Sequence, residues 1–314
     1  MLRTKECLSL AASLRDQALK PGWRTRFAPA PTGFLHLGHV VNALHVWGIA
    51  RAYDGRVLLR IEDHDQLRCR KEFEYALLDD LDWLGLVPDV GTTEQFRGGT
   101  QLQRQSDNRG RYEAVMQNLS LRDLEYGCIC TRKDIAEITG DVFGKESRYP
   151  GTCSHVQPPH ITAMARRFRV SDQAETFNDI RLGVQSQQPS EQCGDFLLRD
   201  RNGNFTYQYC VSVDDWDQQI DVVIRGEDLL SSTGRQMQLA RAIGRVDSPL
   251  FLHHALLYRD DGLKLSKSLG DTGIRELRDA GASPQDVLGR AAFAAGLISE
   301  FTPISPANIA DLFS

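Results

Sequence analysis

Two short motifs carry the strongest chemical signal in this sequence. His36-Leu37-Gly38-His39 follows a stretch containing Pro29, Pro31 and Gly33, and Lys264-Leu265-Ser266-Lys267-Ser268 lies far downstream. Two histidines three apart share a face if a helix begins at the first of them. The loop before them would feed that helix's N-terminus, where unpaired N–H groups and the dipole favour anions. Gly33 and Gly38 permit close backbone approach. Imidazole donors aimed at a developing charge contribute about 2.7–4 kcal/mol each. Lysines in a loop neutralise leaving phosphates. The combination suits chemistry at the α-phosphate of ATP. His36, His39, Lys264 and Lys267 are the candidate catalytic groups, and His36, Gly38, His39 and Lys267 the candidate ATP contacts. Alone, either motif is as easily a solvated surface feature. Their order, at opposite ends of one alternating strand–helix pattern, gives them weight.

A second group of residues suits an amino acid with a carboxylate side chain. An ammonium wants a carboxylate partner, and Glu62 lies just past the apolar run ending at Ile61. A γ-carboxylate wants a guanidinium fork, since arginine binds carboxylates through two parallel hydrogen bonds. Arg26 and Arg225 both lie at expected strand ends, where α/β sheets gather ligands. Tyr207 adds a phenolic hydrogen bond. Two arginines would also reject an uncharged amide, which leaves buried charge unpaired.

The third group is a cysteine cluster. Of the seven cysteines, Cys128, Cys130 and Cys153 lie close in sequence. In a reducing compartment such a cluster points to a metal more than to disulfides. A closed tetrahedral zinc site needs a fourth ligand. Chemistry alone favours the neutral imidazole of His155, because the phenol of Tyr149 must first lose a proton. The plain alternative is three buried thiols.

The elements that must position these groups alternate in type. Residues 1–22 read as a short helix (Leu8, Leu10, Ala11, Leu14) closed by Pro21 and Gly22. Arg24–Ala28 is strand-like, the spacing from Val40 to Trp47 is helical, Val57–Ile61 is a buried strand, and Phe73–Leu84 is helical again. This order implies a parallel sheet with crossover helices. Asp221–Gly226 reads as a strand leading to a helix near Ser232 or Thr233. The tail from Ile274 to Leu312 reads as mostly helical. Residues 126–165 break the rhythm with glycine, proline, cysteine and charge. The expected divisions are therefore 1–22, an N-terminal extension; 23–125, the first half of a catalytic domain; 126–190, an insertion with a zinc module; 191–250, the second half; and 251–314, the lysine loop with a helical segment.

Composition narrows the class without naming it. A hydrophobic fraction of 41% and a charged fraction of 25% are ordinary for a globular protein. No apolar run approaches membrane-spanning length, and the first residues are too charged for a secretory signal. A cytoplasmic monomer with no membrane partner is the expectation. The formal net charge of −5 argues against a nonspecific nucleic-acid coat, although a local basic face can bind RNA on an acidic protein.

On these motifs the chain resembles the class I aminoacyl-tRNA synthetases. His36–His39 is similar to their HIGH signature and Lys264–Ser268 to KMSKS. Within the class, Phe27–His36, Arg60-Ile61-Glu62-Asp63-His64-Asp65 and Val223–Asp228 resemble the glutamyl group, and the likeness extends over about residues 24–300. The resemblance implies an α/β fold. Its parts would be the Rossmann-like parallel sheet of the class, an inserted zinc-containing module and a C-terminal helical stem-contact segment. It also implies a glutamate pocket of Arg26, Phe27, Ala28, Pro29, Ala30, Glu62, Tyr207 and Arg225. ATP with Mg²⁺ would be the second substrate. One structural zinc would be held by Cys128, Cys130, Tyr149 and Cys153, because the short glutamyl-type enzymes show Cys-x-Cys followed by Tyr-x-x-x-Cys. His155 stays open as the alternative. Ala30 departs from the group, which commonly has serine there, so one hydroxyl contact is missing.

The stretch after Ser268 is short for an anticodon-binding module of the usual ~100–150 residues. That likens the chain to the short branch of the group, the glutamyl-Q tRNA(Asp) synthetases. Val211, where full-length enzymes tend to have asparagine, leans the same way, whereas Ser268 leans slightly back. This branch implies that L-glutamate is activated without tRNA and then transferred to queuosine at the wobble position of tRNA(Asp). The alternatives are a truncated glutamyl-tRNA synthetase charging the tRNA 3′ end, or a non-catalytic RNA-binding paralogue.

Overall fold

The computed structural model describes residues 2–17, 19–140, 147–155, 164–257 and 273–314. Lys264 and Lys267 lie outside the described residues.

After helix α1 (Lys5–Arg15), the chain builds strand β1 (Arg24–Phe27), helix α2 (Leu37–Ala52), strand β2 (Arg56–Leu59) and helix α3 (Lys71–Leu84). β1 and β2 pair in parallel, Arg26 opposite Leu58, so α2 is the crossover between them. α2 is apolar nearly all round: Val40, Val41, Ala43, Leu44, Val46, Trp47, Ile49 and Ala50 are all buried. Such a helix needs cover on more than one side, and it is packed by the sheet, by α11 (Pro284–Ala294) and by the final turn around Phe313. α3 shows the expected amphipathic pattern and ends at Gly85, whose φ of +70° is the left-handed stop that glycine adopts without strain.

The next elements are α4 (Thr93–Arg97), α5 (Arg109–Leu121), β3 (Glu125–Cys128), α6 (Arg132–Thr139) and β4 (Ala165–Phe168). Then come β5 (Glu175–Asp179), β6 (Gly183–Gln187), α7 (Pro189–Gln192), β7 (Leu197–Arg199), α8 (Tyr207–Asp217), β8 (Val222–Gly226), α9 (Thr233–Ala242), β9 (Leu250–His254) and α10 (Ile274–Asp279). β8 and β9 are parallel in register, with Arg225 opposite His253. β9 also runs parallel to β5, and β6 closes that edge antiparallel. The Asp221 N–H donates to the Arg24 carbonyl at 2.9 Å, which joins the start of β8 to the start of β1. β8 is buried at every residue, as a central parallel strand should be.

A separate antiparallel sheet, in the order β3-β4-β7, carries the cysteines. Here the chain differs from the expected divisions. β5 and β6 fall inside the expected 126–190 insertion yet hydrogen-bond to the parallel sheet. β7 falls beyond it yet pairs with β4. The chain thus visits the small sheet, returns to the main one and goes back. Sequence periodicity carries no trace of that interleaving, because pairing partners are not a local property.

Candidate active site

β1, β2 and β8 point their C-terminal ends to one place, and the charged residues found there are buried. Arg60 is fully buried, Arg26 is 4% exposed and Arg225 is 3% exposed. Buried arginines require anionic or polar partners. Arg26 donates to Asp215 Oδ1 at 3.0 Å and to the Ile224 carbonyl at 3.0 Å. Arg60 donates to the same Asp215 oxygen at 2.8 Å and to Glu62 Oε1 at 3.0 Å. Burial alone would raise the Asp215 pKa, but Arg26 and Arg60 outweigh it and hold it down at about 2. Its neighbour Asp214 is pushed up to about 7, by burial first, against the opposing pull of Arg60. Two adjacent carboxylates on α8 therefore differ widely in acidity, because only Asp215 contacts two guanidiniums directly.

Arg225 is held differently. Its Nε donates to His253 Nε2 at 3.0 Å, and its terminal nitrogens donate to Gln236 Oε1 at 2.7 Å and Thr233 Oγ1 at 2.9 Å. His253 Nδ1 meets Asp179 Oδ2 at 2.6 Å. A guanidinium can only donate, so His253 accepts at Nε2 and carries its proton at Nδ1, neutral. Burial lowers its pKa although Asp179 opposes this. Among the described residues no carboxylate contacts Arg225; Asp215 acts on it from a distance and Asp179 stands one imidazole away. Tyr207 hydrogen-bonds Arg225. Its oxygen must accept, which leaves its O–H as a donor. Burial raises the Tyr207 pKa and Glu62 adds to the rise, so that proton stays on. The pocket thus joins a guanidinium without a contacting carboxylate, a phenolic donor and, at Glu62, an anion. Those are complements for one carboxylate and one ammonium.

The histidine pair caps α2. His36 is the N-cap residue, and its Nδ1 accepts from the Gly38 N–H at 3.1 Å. His39 Nδ1 accepts from the His36 N–H at 3.1 Å. A neutral ring that accepts at Nδ1 carries its proton on Nε2. Gly38 is required for this arrangement, because a Cβ there would stand 2.9 Å from the His36 ring. The backbone at Gly273, where the described chain resumes after the lysine motif, forms a bridge with His36, and the Ile274 N–H donates to the Leu35 carbonyl at 3.1 Å. The downstream end of that segment is thus tied to the histidine motif. Phe27 ends β1, Ala28, Pro29 and Ala30 lead on from it towards the histidine motif, and the Pro29 carbonyl accepts from the Glu62 N–H at 3.1 Å.

The cysteine cluster lies on the small sheet, where the sulfurs of Cys128, Cys130 and Cys153 all fall within 4.8 Å of one another. The Tyr149 hydroxyl is 3.3 Å from Cys128 Sγ and 3.6 Å from Cys130 Sγ, and Cys130 and Cys153 are 3.5 Å apart. For a zinc–sulfur bond of about 2.3 Å, a tetrahedron has edges of roughly 3.8 Å. The three contacts of 3.3, 3.6 and 3.5 Å lie a little inside those edges, and the donor set could hold one zinc ion. His155 is exposed and outside the group. Gly194 makes the site: at φ +62°, a Cβ on it would stand 2.3 Å from the Tyr149 carbonyl, so only glycine lets the Tyr149 backbone approach. Arg167 stacks on the Tyr149 ring at 3.6 Å and donates to Cys128 Sγ at 3.2 Å, a positive charge beside four potential anions.

With this geometry in view, the profile of the family described as "tRNA synthetases class I (E and Q), catalytic domain" matches residues 23–293. The chain belongs to that family. It is 37% identical to glutamate–tRNA ligase 2 of Syntrophus aciditrophicus, over 88% of this chain and 58% of that protein. It is 36% identical to the glutamyl-Q tRNA(Asp) synthetase of Symbiobacterium thermophilum, over 92% of this chain and 91% of that one. A crystal structure of a glutamate tRNA ligase from Elizabethkingia meningosepticum in complex with its amino acid superposes with a TM-score of 0.71 at 27% identity, covering 93% of this chain and 68% of the other. These homologues are ligases, and the fold is the class I α/β fold with its parallel sheet. Among the described residues no helix is long and apolar enough to cross a membrane.

Arg26, Glu62, Tyr207 and Arg225 come together as the sequence suggests, and so do His36 and His39. The partners that hold them were missed: Arg60, Asp214, Asp215, Asp179, His253 and Gln236. Only the adjacent acids Asp214 and Asp215 on an otherwise apolar helical face offered a signal.

Proposed function

We propose that this chain condenses L-glutamate with ATP to give glutamyl-adenylate, without RNA, and then transfers the glutamate to queuosine at the wobble position of tRNA(Asp). The observation that carries the first step is Arg225, a buried guanidinium that no carboxylate among the described residues contacts, beside the Tyr207 hydroxyl and Arg26. A γ-carboxylate completes that charge. An amide would leave it uncompensated, at a cost of about 1–3 kcal/mol or more. Glu62 takes the ammonium. The α-carboxylate then attacks the α-phosphorus in line and pyrophosphate leaves. Positioning and charge stabilisation carry this step, and no protein nucleophile is needed. The Nε2 donors of His36 and His39 hold phosphoryl oxygens, and Lys267 with Lys264 neutralises the leaving phosphates. Mg²⁺ travels with ATP on phosphate and water oxygens.

Cys128, Cys130, Tyr149 and Cys153 hold one zinc, which shapes the small sheet where the RNA docks and supplies no open coordination position. Transfer to queuosine is favoured by the relative from Symbiobacterium thermophilum, which aligns over nearly its whole length. Relatives named glutamate–tRNA ligase at equal identity favour the other acceptor, the tRNA 3′ end. Charging with radiolabelled glutamate separates the two. tRNA(Asp) bearing queuosine accepts label when its 3′ end is blocked, and tRNA(Asp) lacking queuosine accepts none. Label that depends on an open 3′ diol would establish 3′-end charging instead.

A further inference from the structure

His64 lies in the motif Arg60–Asp65, where nothing above gives it work. It is half-buried, two residues beyond Glu62, and its ring centroid is 6.4 Å from that of Tyr207. Its Nδ1 meets Gln105 Oε1 at 2.6 Å. Gln105 is 1% exposed, and its Nε2 donates to Asp214 Oδ2 at 2.7 Å. Asp214 is itself held by the Tyr112 hydroxyl at 2.9 Å. The hydrogen-bond directions follow in sequence. A charged Asp214 only accepts, so Gln105 turns its amide nitrogen to Asp214 and its oxygen to His64. His64 must then donate at Nδ1, which leaves the Nε2 lone pair as a base. A carboxylate fixing an imidazole's tautomer is the orienting logic of hydrolase triads, here with a glutamine interposed.

We propose that His64 is the general base of the transfer half-reaction, which rests on the adenylation reading above. The acceptor hydroxyl attacks the glutamyl carbonyl carbon, and His64 Nε2 takes the hydroxyl proton as the new C–O bond forms. The bond between the carbonyl carbon and the phosphate oxygen breaks, and AMP leaves with the electron pair. A cavity of about 430 Å³ flanks this position, lined by Asp63, Gln66, Arg70, Arg97, Arg104 and Ser106. Asp63 and Ser106 in its wall adjoin His64 and Gln105 in sequence; Arg97 and Arg104 are paired with Asp79, Asp82, Glu74 and Asp107, and Arg70 and Lys71 are the wall's cations that suit the phosphates of an incoming nucleotide. The titratable groups around His64 are Glu62, Asp63 and Asp65 on its own loop, Asp107 beside Gln105, and Tyr207 and Asp214 on α8. Asp214 becomes charged near pH 7, so the same rise in pH locks the base tautomer.

The test is His64→Asn, whose side-chain amide keeps a donor for Gln105 and has no base at Nε2. Two rates are measured: glutamate-dependent ATP–pyrophosphate exchange, and single-turnover transfer from preformed adenylate to tRNA(Asp) bearing queuosine. The expected result is that transfer falls about 100-fold more than exchange, within the range of general-base catalysis. The variant also loses the acid-side decline in transfer that a protonating imidazole imposes. Equal losses in both rates, or an acid-side decline that persists in the variant, would overturn the proposal. Absence of exchange in the unsubstituted protein would sink the adenylation reading instead, which keeps the two failures apart.

Discussion

The proposed glutamate pocket and the cysteine cluster are both small, largely buried polar sites, yet they are stabilised in opposite ways. In the pocket, Arg26, Arg60, Glu62 and Asp215 neutralise one another, so the frame stands before any ligand arrives and only Arg225 awaits a counter-charge among the described residues. In the cluster, three thiols and a phenol face each other around an apolar knot of Tyr126, Ile135 and Ala165. Burial pushes the Cys130 thiol up to about 11 and raises the Tyr149 pKa further. Burial would raise the Cys153 pKa too, but a hydrogen bond from the Ile129 backbone and those within the cluster outweigh it and lower the value. The four donors satisfy one another weakly and an ion well. One region is preorganised by protein charge. The other is organised by what it binds.

The largest effect that would sharpen this contrast is at Arg225. Arg225→Met strands the γ-carboxylate of glutamate, and loss of one partner of a buried pair costs about 3–5 kcal/mol. kcat/KM for glutamate in pyrophosphate exchange should fall at least about 100-fold with little change in thermal stability. A fall below tenfold would show that Arg26 alone reads the γ-carboxylate.

Asp215→Asn should strike stability as well. It leaves Arg26 and Arg60 facing each other without their shared anion, at a cost of about 3 kcal/mol. Denaturant unfolding measures it. The sign with pH is fixed by the depressed pKa. Because the folded-state value is about 2 and the unfolded one 3.8, the stabilising contribution is fully present above pH 3.8. It is lost as pH falls through about 2. The difference between the two proteins should therefore be constant above pH 4 and shrink below it. A difference that grows on acidification would break the account.

A smaller and more local effect is expected from zinc removal. Chelation should lower transfer to tRNA about tenfold and change pyrophosphate exchange less than twofold, since the small sheet has its own core. Loss of both activities together would show that the two regions are one cooperative unit. Cys153→Ser should mimic chelation and reduce bound zinc from about one per chain to near zero by elemental analysis.

The same contrast explains what was legible in the sequence. The side chains proposed to meet a ligand sit in ordered motifs beside glycine and proline, so His36, His39, Glu62 and Arg26 could be read directly. The cysteines could be read from their spacing. The residues that hold the pocket together come from α8, β5 and β9, up to 189 positions away from their partners. A buried carboxylate such as Asp215 or Asp179 looks like any surface acid until the sheet closes over it. Parallel alternation was legible from β1 to α3 because each element there pairs with its sequence neighbour. It failed between residues 126 and 206, where the chain crosses twice between two sheets.

Glutamate-dependent ATP–pyrophosphate exchange in the absence of RNA tests the central claim most directly. With L-glutamate the account predicts robust exchange. With L-glutamine at equal concentration it predicts a rate lower by roughly 100-fold or more, since Arg225 would be left without its counter-charge. Exchange that requires tRNA, or that glutamine supports equally well, would contradict it.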